Sequence, residues 1–249
     1  MTLTRSGVSV DEIADRIYRL SVPVPDADFC YNQILIDDDE PLLFHTGLRA
    51  SFSLVREAVE SVMPVARLRY VALSHFESDE CGALNLFLAA APQAVPLCGR
   101  IAAMTSIDDF AERRARVMGD GEALALGRHT VEWLDTPHLP HGWEAGYLFE
   151  QTTRTLLCGD LFTHGGASPP PLIAGDLVDL SERFRADFAS QTGMPDPYGF
   201  NRDARRHLER MSAKQPGTLA LMHGSSWQGT PAEASKMLLA LAGLLESES

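Results

Sequence analysis

Hydrophobic and polar positions in the first half of the chain follow two different spacings. Residues 31–47, YNQILIDDDEPLLFHTG, contain two apolar runs around an acidic turn at Asp37–Glu40, which predicts two paired strands. Residues 51–63 place four apolar side chains at helical spacing behind Ser51. This pattern predicts a helix that begins with a serine cap.

The same two spacings alternate along the rest of the chain. RLRYVALSH predicts a strand, and residues 81–92, CGALNLFLAAAP, predict a helix that ends at Pro92. HTVEWLDTP, GYLFEQ, TRTLLCGD and GTLALMHG predict further strands, while NRDARRHLERM and PAEASKMLLALAGLL predict helices. Strands in pairs with interspersed helices predict an α/β (α+β) fold with mixed sheets under helices, rather than a doubly wound parallel sheet.

One Pro/Gly-rich segment interrupts this pattern, at residues 164–176, HGGASPPPLIAGD. Three consecutive prolines make it a semi-rigid excursion. The segment that follows is too short and too helical to form its own core. We therefore predict one domain that spans residues 1–249.

Composition narrows the classes of partner. The net charge of −13, with no compensating basic block, argues against a nucleic acid or an anionic membrane surface as partner. No apolar run reaches the length of a membrane span, and the N-terminus lacks the pattern of a signal peptide. The four cysteines form no C-x-x-C pair. We therefore expect a reduced, soluble, cytoplasmic protein.

The end of one predicted strand carries unusual chemistry. The apolar run Tyr70–Leu73 is followed by His75, Glu77 and Asp79 at alternate positions, with Glu80 directly behind. In an extended segment, alternate side chains project to the same side, so one loop can offer three metal ligands. Taken alone, this stretch is equally consistent with a solvated acidic loop that contains a chance histidine.

Three later strands end in residues of the same chemistry, which favours a metal site. Because strands fix the loops at their ends, such residues can converge in space. Three imidazoles with three carboxylates suit two cations, and carboxylates about 5 Å apart repel by roughly 3 kcal/mol per pair at an effective dielectric near 20. The predicted ligands are His75, Glu77, Asp79, His141, Asp160 and His223.

The order H-x-E-x-D, a strand-ending His, the Asp of CGD and a late HG resembles the metal-ligand series of the metallo-β-lactamase superfamily. Most members carry H-x-H-x-D-H, whereas H-x-E-x-D resembles flavodiiron proteins and, among them, the stand-alone oxygen-binding diiron proteins that lack a flavodoxin domain. The spacings agree as well: 62 residues from Asp79 to His141, 19 from His141 to Asp160 and 63 from Asp160 to His223. HGSSW is similar to HG-x-x-W. The resemblance covers Tyr18–Trp227 and implies an αββα sandwich of two mixed sheets flanked by helices.

The resemblance also implies a ligand set. One iron would take His75, Glu77 and His141, the other would take Asp79 and His223, and Asp160 with an oxo or hydroxo group would bridge the pair. Three positions need comment.

Glu80 stands where many relatives have a histidine, so it either ligates the second iron or leaves it more open. The stretch TPHLPH offers His138 as the alternative to His141, which the spacing favours. His45 occupies a position that is usually Asp, and we read it as structural.

Ligand chemistry favours iron over zinc. Replacing an imidazole with a carboxylate makes a site harder and more anionic, which suits iron or manganese. The resemblance implies a non-haem diiron protein that binds or reduces dioxygen or nitric oxide, either as an oxygen sensor or as an oxidoreductase with an external electron donor. The alternative is a hydrolase of the metallo-β-lactamase type with two zinc ions.

Two further expectations concern the surroundings of the site. A homodimer is implied by the resemblance alone. Phe76, Trp143 and Trp227 lie beside predicted ligands in the sequence, and they could form an apolar lining that admits a diatomic gas.

Overall fold

Fifteen strands and eight α-helices form the regular structure of the described residues, which in this computed structural model are 2–194, 197–198 and 201–247. The strands are β1 Thr2–Leu3, β2 Ser9–Ala14, β3 Ile17–Pro23, β4 Cys30–Ile36, β5 Leu42–Phe44, β6 Tyr70–Ala72, β7 Val95–Gly99, β8 Arg116–Met118, β9 Ala123–Ala125, β10 Thr130–Asp135, β11 Gly146–Glu150, β12 Thr155–Leu157, β13 Leu172–Ile173, β14 Thr218–Ala220 and β15 Ser226–Gln228. The helices are α1 Phe52–Glu60, α2 Ser78–Cys81, α3 Leu84–Ala90, α4 Arg100–Ala102, α5 Asp108–Phe110, α6 Leu177–Thr192, α7 Ala204–Ala213 and α8 Pro231–Ser247.

The strands form two mixed sheets. The first has the order β1 to β8, antiparallel from β1 to β5 and parallel from β5 to β8. The second has the order β13-β15-β14-β12-β11-β10-β9, with parallel and antiparallel neighbours. The prediction of mixed sheets with helices is therefore confirmed.

Both sheets are buried on two faces, which explains the short, continuous apolar runs in the sequence. In β5, Leu42 and Phe44 belong to the core between the sheets, whereas Leu43 packs into the outer core with α1 and α3. On the other side, β12 packs Leu156 against α7 and α8. These layers form the expected αββα sandwich, and each fully buried aliphatic side chain contributes roughly 1.5–3 kcal/mol to it.

Several predicted boundaries need correction. The helix expected over residues 51–63 is α1, which ends at Glu60, and the Ser51 hydroxyl donates to the Leu48 carbonyl at 2.8 Å instead of capping the helix. The helix expected over residues 81–92 starts at Leu84 and ends at Ala90. The short turn of α2 precedes it.

Helix α6 was not among the helices predicted from the sequence, although the segment after residue 176 was described as helical. Its N-cap is Asp176, whose side chain accepts from the Val178 amide, but its buried positions include Ser181 and Arg185. Polar residues on the buried face hide the apolar period that predicts a helix. Eight strands were not predicted either: β1, β2, β3, β7, β8, β9, β13 and β15.

The Pro/Gly-rich segment is tied into the second sheet. Within it, β13 pairs in parallel with β15, which places Ile173 opposite Trp227. The single domain of residues 1–249 remains a prediction. None of the helices in the described part of the chain has both the length and the hydropathy needed to cross a membrane.

Candidate metal centre

The predicted ligands lie in or just beyond the loops that follow four strands of the two sheets. His75 and Glu77 follow β6, His141 follows β10, Asp160 follows β12 and His223 follows β14. The structure brings these residues and Asp79 into one cluster, because the strands hold the four loops at the same edge of the sandwich.

The segment that carries three of the ligands is only partly extended. Glu77 has extended backbone angles, φ −128° and ψ 167°, but α2 begins at Ser78. Asp79 therefore lies in a helical turn, and the expectation of an extended run from His75 to Asp79 was wrong. The turn brings Glu80 to the cluster as well.

One group of side chains converges around His141. Its Nε2 atom lies 3.1 Å from Glu77 Oε1 and 3.1 Å from His75 Nε2. Asp160 Oδ2 lies 3.5 Å from His75 Nε2 and 3.7 Å from His141 Nε2. Two imidazole nitrogens and two carboxylate oxygens thus face one point.

A second group forms on the other side of Asp160. His223 Nε2 lies 3.3 Å from Asp160 Oδ1 and 3.8 Å from Asp79 Oδ2. Asp160 therefore presents Oδ2 to the first group and Oδ1 to the second. This is the arrangement that a carboxylate needs in order to serve two cations at once.

The electrostatics of the cluster reflect this convergence of charge. The hydrogen bond between His141 and Glu77 lowers the pKa of Glu77 and raises the pKa of His141. Burial by itself would raise the pKa of Asp160, but the hydrogen bond to His223 and the nearby imidazoles hold that pKa well below its usual range. Burial by itself would lower the pKa of His223, but the bond to Asp160 raises it. Protons on these imidazoles balance the carboxylates where a cation could do so.

Each cluster histidine is oriented through its other ring nitrogen. Nδ1 of His141 lies 3.1 Å from the Pro197 carbonyl, and Nδ1 of His223 lies 3.1 Å from the Cys30 carbonyl. Because a carbonyl only accepts, these Nδ1 atoms donate, and Nε2 is left free to bind a metal. Nδ1 of His75 lies 2.9 Å from the Ser74 hydroxyl.

His45 supports His75 through that hydroxyl. His45 Nε2 accepts from the Ser74 amide at 3.3 Å and lies 2.9 Å from Ser74 Oγ, while its Nδ1 faces Met222 Sδ at 2.7 Å. Complete burial lowers the pKa of His45 to about 3, so the ring is neutral. A neutral imidazole thus takes the place that is usually an aspartate in the superfamily.

His164 supports the turn that carries His223. Its Nδ1 donates to the Phe162 carbonyl at 2.9 Å, and its Nε2 accepts from the Ser225 amide at 2.9 Å. Gly224 has φ +78°, and a Cβ atom there would lie 2.4 Å from the His164 ring. His223 is therefore followed by glycine because only glycine fits beside the His164 ring with this backbone conformation.

The two open alternatives separate in the structure. His138 is exposed and lies outside the cluster, in the loop that brings His141 inward. Glu80, by contrast, is fully buried, with Oε2 3.9 Å from His75 Nε2.

The apolar lining of the site differs from the expected one. Trp227 is buried in the core beneath the second sheet, Trp143 is more than half exposed, and Phe76 packs against Phe110. A cavity of about 280 Å³ opens instead onto the ligands Glu77, Asp79, His141, Asp160 and His223. Its aromatic walls are Phe29, Tyr31, Phe184, Phe188 and Tyr198.

Phe29 connects this lining to the cluster. Its ring stacks on His223 with centroids 4.5 Å apart, and on Phe184 at 5.5 Å. Phe184 and Phe188 belong to α6, so missing that helix in the sequence also meant missing the cavity wall.

The donor set fits a pair of cations. Three imidazoles that direct their Nε2 atoms inward and three carboxylates surround two points that share Asp160. A mixed nitrogen and oxygen set of this kind suits iron, manganese or zinc, and its carboxylate content favours the harder ions.

The fold and this cluster agree with a match to a known family. The model of the family described as ODP family beta lactamase matches residues 29–186, more than half of the chain. The chain belongs to this family. The ODP match includes His75, Glu77, Asp79, His141 and Asp160, and His223 lies beyond it.

Relatives of this ODP family chain carry the names of oxidoreductases. The chain is 26% identical over 158 residues to the rubredoxin-oxygen oxidoreductase of Megalodesulfovibrio gigas, a match that covers 62% of the chain and 36% of that protein. It is 24% identical over 212 residues to the nitric oxide reductase of Moorella thermoacetica, covering 81% of the chain and 50% of that protein. The chain thus spans half or less of the length of these relatives.

Solved structures share the fold. The flavodiiron protein from Giardia intestinalis superposes with a TM-score of 0.76 at 18% sequence identity, over 97% of this chain and 60% of that one. At that identity the likeness shows the fold alone. It places the ODP chain in the metallo-β-lactamase-like sandwich that the sequence resemblance implied.

Proposed function

We propose that the chain holds two iron ions at this cluster and binds or reduces dioxygen or nitric oxide. The observation that carries the proposal is Asp160, whose two oxygens face two separate groups of ligands 3.3–3.7 Å away. A site for one cation would not need a carboxylate shared in this way. The names of the relatives support the choice of oxygen or nitric oxide.

Six side chains would hold the two ions. His75, Glu77 and His141 would bind one ion, Asp79 and His223 would bind the other, and Asp160 would bind both. Hydrogen bonds to Ser74, Pro197 and Cys30 orient the three imidazoles, so the ligand geometry is prepared before binding.

The residues around the ions shape what reaches them. When bound, an iron pair supplies electrons in single steps and positions where a diatomic molecule can bind. Phe29, Phe184 and Phe188 make the cavity wall apolar, which favours a small uncharged gas over a charged substrate. The carboxylates on the opposite wall repel anions for the same reason that they attract cations.

Repeated reduction of either gas consumes electrons that a donor has to replace. The name of one relative pairs rubredoxin with oxygen, and we propose that this chain likewise receives electrons from a separate redox protein. The hydrolase alternative has less support, because the two relatives described above are named as an oxygen oxidoreductase and a nitric oxide reductase. A homodimer and a cytoplasmic location remain expectations from the sequence.

We also propose that residues 1–249 act as one domain. Contacts between the two sheets support it, since the Asn32 side chain in β4 donates to the Leu221 and Gly224 carbonyls at 3.0 and 2.9 Å. Arg19 in β3 donates to Gly224 as well, at 2.9 Å. The first and last thirds of the chain thus depend on each other.

Metal analysis and gas consumption together test the proposed function. Protein loaded anaerobically with ferrous iron is expected to hold two ions per chain and to give Mössbauer doublets of a coupled pair. Reduced protein is then exposed to dioxygen or nitric oxide with a flavoprotein donor present. Gas consumption supports a reductase, and a reversible visible band without consumption supports a sensor. Stoichiometric zinc with hydrolytic activity and no reaction with either gas would overturn the proposal.

A further inference from the structure

The carboxylate of Glu80 is the most unusual group next to the cluster. Its side chain is fully buried, and neither oxygen accepts a hydrogen bond from an N–H or hydroxyl donor of the described residues; the neighbouring side chain is the Asp79 carboxylate. A buried carboxylate without a partner is costly, and such groups in native proteins are paired, protonated or bound to a metal.

The backbone holds Glu80 in this position. Its carbonyl accepts from the Thr46 amide at 2.7 Å and from the Thr46 hydroxyl at 3.1 Å, which ties α2 to the loop after β5. The Glu80 side chain therefore points toward the cluster because the chain is fixed there.

The carboxylate lies at a ligand's distance from the cluster. Glu80 Oε2 is 3.9 Å from His75 Nε2, the same separation as that between His75 Nε2 and Glu77 Oε1. The potential ligand atoms of His75, Glu77 and Glu80 all lie within 4.8 Å of one another. Two donors on one ion of this size are about 3–4 Å apart, since each bond is about 2 Å long.

We propose that Glu80 is a seventh protein ligand of the metal pair, on the side that His75 and Glu77 occupy. The inference rests on the proposed metal site. It resolves the alternative left open at Glu80 in favour of ligation, and it differs from the sequence expectation because the distances place Glu80 beside His75 and Glu77 rather than beside the second ion. It also gives both unpartnered oxygens of Glu80 a cation to face.

A fourth carboxylate changes the charge of the centre. Three carboxylates with two divalent ions leave a net charge of +1, whereas four leave zero. The centre is then harder and favours higher oxidation states, so iron and manganese gain over zinc. Glu80 thus acts as a determinant of metal specificity and of reduction potential.

Metal binding by Glu80→Gln tests the proposal without any measurement of activity. The probe is ferrous iron added anaerobically to metal-free protein, with chelator competition for affinity and Mössbauer spectra for ligation. Loss of an outer hydrogen-bond partner already costs 10–100-fold in metal affinity, so loss of a direct ligand is expected to cost at least about tenfold. Glu112→Gln, at an exposed position, is the matched control and should bind as the wild type does.

A second variant provides an interpretable test if Glu80→Gln folds poorly. Glu80→His restores a ligand of the type that many relatives carry, and it should hold two ions with a changed quadrupole splitting and a higher midpoint potential. The proposal is overturned if Glu80→Gln or Glu80→His keeps the wild-type spectrum and an affinity within about twofold.

The test of Glu80 as a ligand and the test of the proposed function can fail independently. Wild-type protein that binds two irons but ignores both gases contradicts the proposed function, while the Glu80 comparison still stands. Wild-type protein that takes only manganese or zinc is compared with the variants using that metal. Wild-type protein that binds no metal ion overturns both.

Discussion

Replacing Glu80 with methionine is expected to stabilise the metal-free protein. Methionine is unbranched, flexible and of similar length, so it fills the site, while two buried oxygens without donors disappear. Such a buried polar group costs about 1–3 kcal/mol, and this is the expected gain in the free energy of unfolding. For a chain of this size, 1 kcal/mol shifts Tm by about 2–4 °C, so the midpoint should rise by roughly 2–12 °C.

The assay is chemical denaturation in the presence of a chelator, with an unchanged m-value as the check that both states unfold alike. With saturating iron the wild type should become the more stable of the two proteins, because it binds the ions more tightly and gains more stability from them. Glu112→Met, at an exposed position, should change stability by less than about 0.5 kcal/mol. A Glu80→Met variant that unfolds at the same or a lower denaturant concentration than the metal-free wild type would refute the reasoning.

Three further predictions follow from the cluster. His141→Ala should lower iron affinity by at least about a hundredfold while His138→Ala leaves it unchanged, and equal effects in chelator competition would contradict the assignment. Gly224→Ala should lower the free energy of unfolding by about 2–4 kcal/mol, because φ is +78° and the new Cβ meets the His164 ring. An unchanged midpoint of chemical denaturation would argue against this contact. The raised pKa values of His141 and His223 give opposite pH trends. Their contribution to the stability of the metal-free protein is complete below the unfolded pKa near 6.5 and is lost as pH rises through the folded pKa. Iron affinity should rise over the same pH interval, because the protons that compete with iron leave the imidazoles. Stability in denaturation and affinity in binding titrations that change in the same direction with pH would contradict this.

The strands that lead to the ligands could be predicted because their signal is local. Strands β6 and β14 are short apolar runs that stop at a polar residue. Strands that are buried on both faces of their sheet typically have such a sequence. The order and spacing of the ligands then carried the family resemblance, which the family match confirmed.

The elements that the sequence analysis missed lack such a signal. Helix α6 buries Ser181 and Arg185, so its period is not apolar, yet it supplies Phe184 and Phe188 to the cavity wall. The aromatic residues near ligands in the sequence were poor guides for a different reason. Gly224, at φ +78°, turns the chain between His223 and β15, so Trp227 on β15 packs into the core while His223 faces the cluster.

The sequence alone determined which residues could bind metal, in which order, and on which kind of fold, because those properties depend on residue type and local period. The tertiary structure alone decided that Asp160 shares its oxygens between two groups, that His141 rather than His138 turns inward, and that Glu80 is buried without a partner. These facts depend on distances between loops from two sheets, and such distances are set by packing across the whole sandwich rather than by neighbours along the chain.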